Sequence, residues 1–201
     1  AEGDVAEAAV DVLLAEWDAQ APAGRRGLLA IVDEAPRQQY LYPEFLLFRD
    51  RLRARGLDAV VCDPSGLDYR DGALSFEGRA IGFVYNRCTD FALAEAAASA
   101  LRRAYLDRAV ALSPHPWSHA LYADKRNLAL LGDRTWLQAA GIAAADIDRL
   151  ADGIPRTEVM SDANRDDLWQ RRKQLFFKPA GGFGSRASYR GDKLTQKTWQ
   201  Q

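Results

Sequence analysis

The sequence has little cysteine and no long apolar run. Cys62 and Cys88 are its two cysteines. They lie in or beside predicted strands, with no CxxC spacing and no histidine cluster nearby, so the common thiolate metal sites are excluded and we expect buried free thiols in a reducing cytoplasm. No stretch approaches the roughly 18 consecutive apolar residues of a membrane span. The acidic first twenty residues contain no base and exclude a signal peptide. We therefore expect no membrane partner.

Charge is balanced overall but unevenly distributed. The 201 residues carry 27 bases and 28 acids, a net charge of −1. From Arg165 onward there are nine bases against three acids, which leaves 18 bases against 25 acids before it. The tail is therefore +6 and the remainder −7. An anionic partner, such as a nucleotide triphosphate or a nucleic acid, would be attracted to the tail alone.

Apolar residues make up 48% of the chain, enough for one good core, or for one domain and part of a second. A first helix is predicted over 4–20, with Asp4 as its N-cap. Its apolar stripe is assigned to Val5, Ala9, Val12 and Leu13.

Strands then alternate with helices. Strands are predicted at 26–35, 57–64, 80–87 and 109–114, and helices at 42–56 and 90–108. Because right-handed β–α–β crossovers make strands parallel, we expect a mainly parallel Rossmann-like sheet with flanking helices. An antiparallel hairpin at 67–79, turning at Asp71-Gly72, is added to it. The predicted buried strand residues are Leu29, Ile31, Val60, Val61, Phe83 and Val84.

A complete dinucleotide-binding fold is disfavoured, because no GxGxxG follows the first strand. After Pro114 the pattern becomes helical and then ends in a strand, a glycine loop and a strand. We therefore divide the chain into a Rossmann-like domain at 1–114 and a second region at 115–201.

The glycine loop lies within FFKPAGGFGSRASYRG, residues 176–191. Glycines 181, 182 and 184 permit positive φ and leave successive backbone N–H groups free to point at one anion. Lys178 follows an apolar strand, and its ammonium would act as a point charge on phosphate. The lysine precedes the glycines, so this is not the GxxxxGK[ST] phosphate loop. A glycine-rich hairpin without function is the alternative.

The spacing of two motifs favours the functional interpretation. The stretch FKPAGGFGSRAS resembles the strand and flexible loop of the ATP-grasp superfamily. Upstream, YADKRNLALL followed by GI and IPRT resembles the passage that precedes that loop. The β–α region before them resembles the family's preceding Rossmann-like domain, so the resemblance covers essentially the whole chain. It implies that the second region begins an α+β ATP-grasp-like domain.

The resemblance also implies a ligand and its residues. Lys125 is similar to the family's first nucleotide-contacting lysine and Lys178 to its phosphate-contacting lysine. The mobile loop that closes over the phosphates corresponds to Gly181, Gly182, Phe183, Gly184 and Ser185. The implied cofactors are ATP and Mg²⁺, and the implied reaction joins a carboxylate to an amine through an acylphosphate.

The chain also departs from the family pattern. The family's adenine-binding hinge and magnesium-binding carboxylates lie on strands beyond the glycine loop, and this sequence ends at Gln201. An insertion at 141–153 interrupts the second motif. We therefore expect a fragment that is inactive alone, with no catalytic residue assigned. A non-catalytic nucleotide- or partner-binding module is the alternative.

Polar residues at strand ends form a second candidate group. Asn86 and Arg87 follow one predicted strand and His115 follows another, where ligands of open α/β sheets bind, so we assign them to a carboxylate substrate. Solvated strand ends would account for them equally well. Histidines 115 and 119 could share a helix face as metal ligands, but Pro116 lies between them and no third ligand is evident, so no metal site is assigned.

Nucleic acid is the weaker partner hypothesis. LWQRRK and SYRGDK mix aromatic residues with bases, as a nucleic-acid groove does. The bases do not follow one continuous helix, and the rest of the chain is acidic. A solvated charged face is the more common arrangement for such stretches.

Overall fold

The computed structural model describes residues 4–21 and 27–200 of the chain. Arg26, in the first predicted strand, lies outside the described residues. The fold is α/β, and the chain divides into two compact units with the boundary between His119 and Ala120. The predicted boundary, after residue 114, was a few residues earlier. We call the parts before and after His119 unit 1 and unit 2.

Up to Arg190 the strands and helices follow the expected order, and the short helix Gln196–Trp199 after it was not predicted. The helices are α1 Val5–Gln20, α2 Tyr42–Ala54, α3 Ser99–Leu106, α4 Pro116–Tyr122, α5 Asn127–Leu131, α6 Arg134–Ala139, α7 Ala144–Gly153, α8 Arg165–Gln170 and α9 Gln196–Trp199. The strands are β1 Leu28–Val32, β2 Ala59–Cys62, β3 Leu67–Arg70, β4 Ala73–Phe76, β5 Arg79–Asn86, β6 Ala111–Ser113, β7 Phe176–Phe177 and β8 Tyr189–Arg190.

Unit 1 is built on a mixed six-stranded sheet. Its order is β2-β1-β5-β4-β3, and β6 also pairs with β5. The pairs β1–β2, β1–β5 and β5–β6 are parallel, whereas β3–β4 and β4–β5 are antiparallel. The long strand β5 therefore joins the parallel strands to the hairpin.

The predicted hairpin is confirmed. β3 and β4 pair with Arg70 opposite Ala73, so Asp71 and Gly72 form a two-residue turn. Both have positive φ, 51° and 76°. Such turns match the right-handed twist of the strands, and glycine adopts them without steric cost.

The central strand β1 separates two hydrophobic clusters. Leu29 and Ile31 pack with residues of α1 and α2, whereas Ala30 and Val32 pack with residues of α3 and the hairpin. Side chains alternate between the faces of a strand, so every residue of β1 is buried with helices on both sides.

Two of the predicted buried positions are only partly buried. Val60 and Val61 of β2 are half-buried, whereas Leu29, Ile31, Phe83 and Val84 are fully buried as predicted. β2 lies at the edge of the sheet, and an apolar run alone does not distinguish an edge strand from a central one.

The stripe assigned to α1 is only partly confirmed. Leu13 is buried and Ala9 is half-buried against the core, but Val5 and Val12 are 82% and 67% exposed. The helix buries Val10, Leu13, Leu14 and Trp17. The true stripe follows the i, i+3, i+4, i+7 pattern and ends on Trp17, whose ring packs against Phe83. The predicted cap is confirmed, because the Asp4 carboxylate accepts hydrogen bonds from Ala6 N and Glu7 N.

The helix predicted over 90–108 is shorter than expected. A 3₁₀ turn covers Ala96–Ala98, and α3 begins at Ser99. Asp90 is engaged before them, because its carboxylate accepts hydrogen bonds from Ala94 N and Glu95 N. Leu93 has positive φ and is fully buried. Burial of the Leu93 side chain favours a loop here, although the alanines have a high helical propensity.

The cysteines have the predicted state. Cys62 and Cys88 are free and buried. Burial raises the pKa of each thiol to about 12, so both are protonated at neutral pH. Among residues 4–21 and 27–200, no helix combines the length and the apolar character required to cross a membrane.

Unit 2 consists of short helices and one small hairpin. Its described buried residues are Leu137, Ile147, Leu168 and Gly191. β7 and β8 pair in antiparallel fashion, Phe176 with Arg190 and Phe177 with Tyr189. The predicted order of strand, glycine loop and strand is therefore present.

Candidate functional site

The β7–β8 hairpin carries the glycine loop of unit 2. Phe177 ends β7, and Lys178 and Pro179 follow it directly. The loop then continues to Tyr189, where β8 begins. Gly182 and Gly184 have φ of 101° and 61°, conformations that L side chains rarely adopt. Glycine adopts both conformations without strain, and its lack of a side chain leaves room for a close ligand.

Most of the residues predicted to contact a nucleotide line one cavity. It measures about 150 Å³. Its lining residues are Lys125, Lys178, Pro179, Gly182, Phe183, Gly184, Ser185, Arg186 and Ser188. The two predicted lysines come from separate parts of the sequence and both belong to it. Gly181 lies in the loop but outside the lining.

Lys125 is bound to the loop through two donors. Its backbone N–H donates to Ala180 O at 2.9 Å, and its Nζ donates to Gly182 O at 3.1 Å. The neighbouring acid does not neutralise it, because Asp124 pairs with Arg126. That hydrogen-bonded pair lowers the pKa of Asp124 to about 2. The ammonium of Lys125 therefore remains available to an anion.

The cavity is cationic. Lys178 Nζ lies 5.4 Å from the centre of the Phe176 ring, and the Arg186 guanidinium lies 5.2 Å from the centre of the Phe183 ring. Within the described residues, no carboxylate lies at ion-pair distance from Lys125, Lys178 or Arg186. Cation–π contacts of this exposed kind are weak, so neither cation is held strongly by its ring.

The loop also offers backbone donors. In the part of the chain that the structure describes, the N–H groups of Gly181, Gly182, Gly184 and Ser185 donate to no carbonyl, and these residues are exposed. Ser185 has a positive φ of 57°. Successive free N–H groups in left-handed and turn conformations form concave anion-binding surfaces. The loop geometry therefore suits a phosphate.

Sequence reasoning missed Arg186 and Ser188 as parts of this cavity. Both lie at the end of the quoted FKPAGGFGSRAS stretch, one and three residues after Ser185, and their basic and hydroxyl side chains were the available signal. The other matched segment, IPRT, does not line the cavity. Its Thr157 donates instead to Pro155 O at 2.8 Å.

In unit 1, the predicted substrate residues lie at the carboxyl ends of β5 and β6. Asn86 is buried and both ends of its amide are used, because Oδ1 accepts from Cys88 N at 3.1 Å and Nδ2 donates to Pro114 O at 3.4 Å. These bonds shape the loops after the two strands. A substrate role for Asn86 stays a prediction.

Arg87 connects this strand end to α2. Its Nη1 donates to the Tyr85 hydroxyl at 3.1 Å, and its Nη2 pairs with Glu44 at 3.2 Å. The guanidinium also packs over the rings of Phe45 and Tyr85. Its Nε is buried and has no hydrogen-bond partner among the described residues. That donor is a free polar group at this edge of the sheet.

The histidines have structural contacts. His115 caps α4, since its Nδ1 accepts from Ser118 N at 3.1 Å, which places the proton of the neutral ring on Nε2. The ring of His119 stacks on Phe91 at 3.9 Å. Within residues 4–21 and 27–200, no three His, Cys, Asp or Glu side chains form a group that could hold a metal ion.

Sequence reasoning also missed Asp33, which follows β1 directly at the same edge. It is 8% exposed, and it accepts a hydrogen bond from Glu34 N at 2.9 Å. Burial raises the pKa of this carboxyl. The positive charge of Arg87 acts in the opposite direction but does not cancel this effect. An acidic pair directly after a fully apolar strand was the signal in the sequence.

We predict that Asp33→Asn increasingly stabilises the protein relative to wild type as pH rises. The raised pKa means that the folded state binds the proton more tightly, so the contribution of Asp33 to stability falls as pH rises through the ordinary and raised values. The amide removes this charge and can still accept from Glu34 N. Urea unfolding between about pH 3 and 7 measures the difference.

Asp63→Asn is the control, because its stability relative to wild type should change with pH in the opposite direction. Hydrogen bonds from Ser65 and Ala35 N lower the pKa of Asp63 in the folded state. Its contribution is therefore present at neutral pH and lost as pH falls through the lowered value. A gap between Asp33→Asn and wild type that stays constant with pH would contradict the prediction.

Aromatic residues of the basic tail mostly contact one another. The Trp169 and Trp199 rings lie 5.5 Å apart, and Phe177 packs against Trp199 at 5.3 Å. The Arg172 guanidinium lies 3.8 Å from the centre of the Trp169 ring. These rings are engaged inside unit 2, which gives the nucleic-acid hypothesis no support.

No protein-family model matches the chain, and no curated protein matches it. The similarity to the ATP-grasp superfamily therefore depends on the quoted motifs alone.

Proposed function

We propose that this chain is part of an ATP-dependent ligase of the ATP-grasp type, which joins a carboxylate to an amine. The observation that supports this most directly is the cavity of unit 2, where two lysines from separate motifs meet the glycine loop. The residues fit a phosphate group, because three cations, free backbone N–H groups and two serines surround a small open space.

Each residue has a role in this proposal. Lys125 and Lys178 place point charges beside the phosphates. The N–H groups of Gly181, Gly182, Gly184 and Ser185, with the Ser185 hydroxyl, donate to phosphate oxygens. ATP supplies the phosphoryl group that activates the carboxylate. Magnesium accompanies the nucleotide, and we assign it no ligand among the described residues.

Unit 1 would bind the substrate. We interpret its sheet as the Rossmann-like domain that precedes the ATP-grasp domain, and the parallel pairing of β2, β1, β5 and β6 supports this. A carboxylate oxygen is a suitable acceptor for the unpartnered Arg87 Nε, and Asn86 and His115 are the other proposed substrate residues. The cytoplasmic location implied by the free cysteines belongs to the same proposal.

Titration of ATP with Mg²⁺ tests the nucleotide site. We expect weak binding, with a Kd of about 1 mM or more, because two lysines and a loop supply few of the contacts that tighter affinity requires. Lys178→Ala should weaken it further by removing a charge next to phosphate. Lys197→Ala, which removes an exposed lysine of α9 outside the cavity lining, should leave it unchanged.

The competing outcomes are distinct. Micromolar affinity, or binding indifferent to Lys178→Ala, would mean that the site lies elsewhere. A non-catalytic nucleotide-binding module would give the same titration. It would differ from the ligase in releasing no ADP when candidate carboxylates and amines are supplied to the complete protein.

A further inference from the structure

We infer that Lys125 is a positioning residue, which holds the glycine loop in one conformation before any ligand binds. The resemblance assigned this lysine a nucleotide contact, and it implied a loop that stays mobile until phosphate arrives. The inference gives Lys125 a second role and changes the expected state of the unliganded loop. It rests on the proposed function for the identity of the ligand, whereas the order of the loop can be measured without one.

The backbone at Lys125 is itself fixed. It lies in the turn that precedes α5, where Asn127 N donates to Asp124 O at 3.1 Å and Leu128 N donates to Lys125 O at 3.1 Å. The Asp124 carboxylate also accepts from Arg126 N at 2.8 Å and pairs with the Arg126 guanidinium. The side chain of Lys125 therefore starts from a well-defined point outside the hairpin.

Two bonds from this turn reach two nearby carbonyls of the loop. Lys125 N donates to Ala180 O at 2.9 Å, and Lys125 Nζ donates to Gly182 O at 3.1 Å. These carbonyls are two residues apart, so the pair of bonds restricts the path of the segment between them. An ammonium has three N–H donors, and the bond to Gly182 O uses one of them. The other two stay available to an anion, so one side chain can hold the loop and contact the ligand together.

The backbone of the loop requires a support of this kind. Positive φ occurs at Gly182 and Gly184 and also at Ser185 and Ala187, which have φ of 57° and 52°. A non-glycine residue in the left-handed region is strained and persists where surrounding contacts determine its conformation. The bond from Lys125 Nζ meets this run of residues at its first member. Without that bond, the glycines would give the loop many accessible conformations.

A loop that is ordered beforehand loses less conformational entropy when it binds a ligand. Removal of the Lys125 ammonium should therefore weaken binding through two effects, the loss of a charge and the release of the loop. Lys178 provides the comparison, because it lines the same cavity but its Nζ lies against the Phe176 ring. Within the described residues, Lys178 Nζ donates to no carbonyl of the loop.

The test measures ¹⁵N NMR order parameters for residues 181–185 without ligand. In wild type we expect about 0.8, close to the roughly 0.85 of rigid backbone. Lys125→Met retains the backbone bond to Ala180 O but removes the ammonium, so the order parameters should fall below about 0.6, the range of flexible backbone. Lys125→Arg supplies another donor and should retain most of the order. Lys178→Met is the matched control and should leave the order parameters unchanged.

An NMR titration of the same variants with ATP and Mg²⁺ separates positioning from charge. Lys178→Met should weaken binding by about threefold and Lys125→Met by about tenfold, because only the second change also releases the loop. If both variants lose affinity equally, Lys125 contributes its charge alone, and the inference fails while the proposed function stands.

The order parameters decide the remaining outcomes. Wild-type values below about 0.6 would show a mobile loop and overturn the inference, as would unchanged values in Lys125→Met or an equal loss in Lys178→Met. If Lys125→Met loses its circular dichroism spectrum, Lys125→Gln, which has a shorter side chain and no charge, repeats the comparison. If wild type binds no ATP but Lys125→Met alone loosens the loop, the proposed function fails and the positioning role stands.

Discussion

Gly191→Ala is expected to destabilise unit 2 by about 3 kcal/mol or more, at the upper end of the cost of overpacking. A Cβ at this position would lie 1.8 Å from Arg172 O and 2.9 Å from Leu175 O. Both neighbours are backbone atoms that cannot rotate away. The Gly191 N–H also donates to Leu175 O at 2.9 Å, so relieving the clash would break the bond that holds the end of β8.

Gly181→Ala provides the matched control. Nothing lies within 4 Å of its Cβ position, and its φ is not in the left-handed region, so its stability should change by less than about 1 kcal/mol. Hydrogen exchange of the segment 172–193, measured by mass spectrometry, reports on the affected hairpin. Equal protection in the two variants would show that the chain around Gly191 adjusts at little cost.

The same glycine shows the limit of sequence reasoning. The glycines of the loop were interpretable because three of them follow one another closely beside a lysine. Gly191 carries no such signal, since its requirement comes from the carbonyls of Arg172 and Leu175, which the fold brings against it. A close approach between backbones is a property of the tertiary structure and leaves no local pattern.

Local signals predicted the fold best where the interaction itself is local. The Asp71-Gly72 turn and the Asp4 cap both act within a few residues, and both are present. The prediction of helix before Ser99 was wrong, because burial of Leu93 overrides the helical propensity of the alanines there. The sheet is mixed because β5 is long enough to pair with both β6 and β4.

The candidate site shows the same division. Lys178 and the glycines were recognised from one contiguous motif, and Lys125 from its order before that motif. The contacts from Lys125 to Ala180 O and Gly182 O join distant parts of the chain, so the sequence did not indicate them. Arg186 was missed because its importance depends on its having no ion-pair partner among the described residues. Asp33 was missed because its importance depends on its burial. Neither property is visible before the fold is known.

Phe83→Ala is expected to lower the free energy of unfolding of unit 1 by about 3–5 kcal/mol, the cost of removing a buried aromatic ring and leaving a cavity. Phe83 is fully buried in the sheet, and its ring lies 5.5 Å from that of Trp17, so the change also removes a contact that attaches α1 to β5.

Val60→Ala is the comparison within the same sheet. The sequence alone predicts a loss of about 1–3 kcal/mol for it as a buried strand residue. The structure places Val60 half-buried on the edge strand β2. Truncating a half-buried side chain exposes less apolar surface, so we now expect the free energy of unfolding to fall by about 1 kcal/mol or less. Urea unfolding of both variants, followed by circular dichroism, measures the two values. Similar losses would place β2 in the interior of the sheet and contradict the strand order that supports unit 1 as a platform for its carboxyl-end residues.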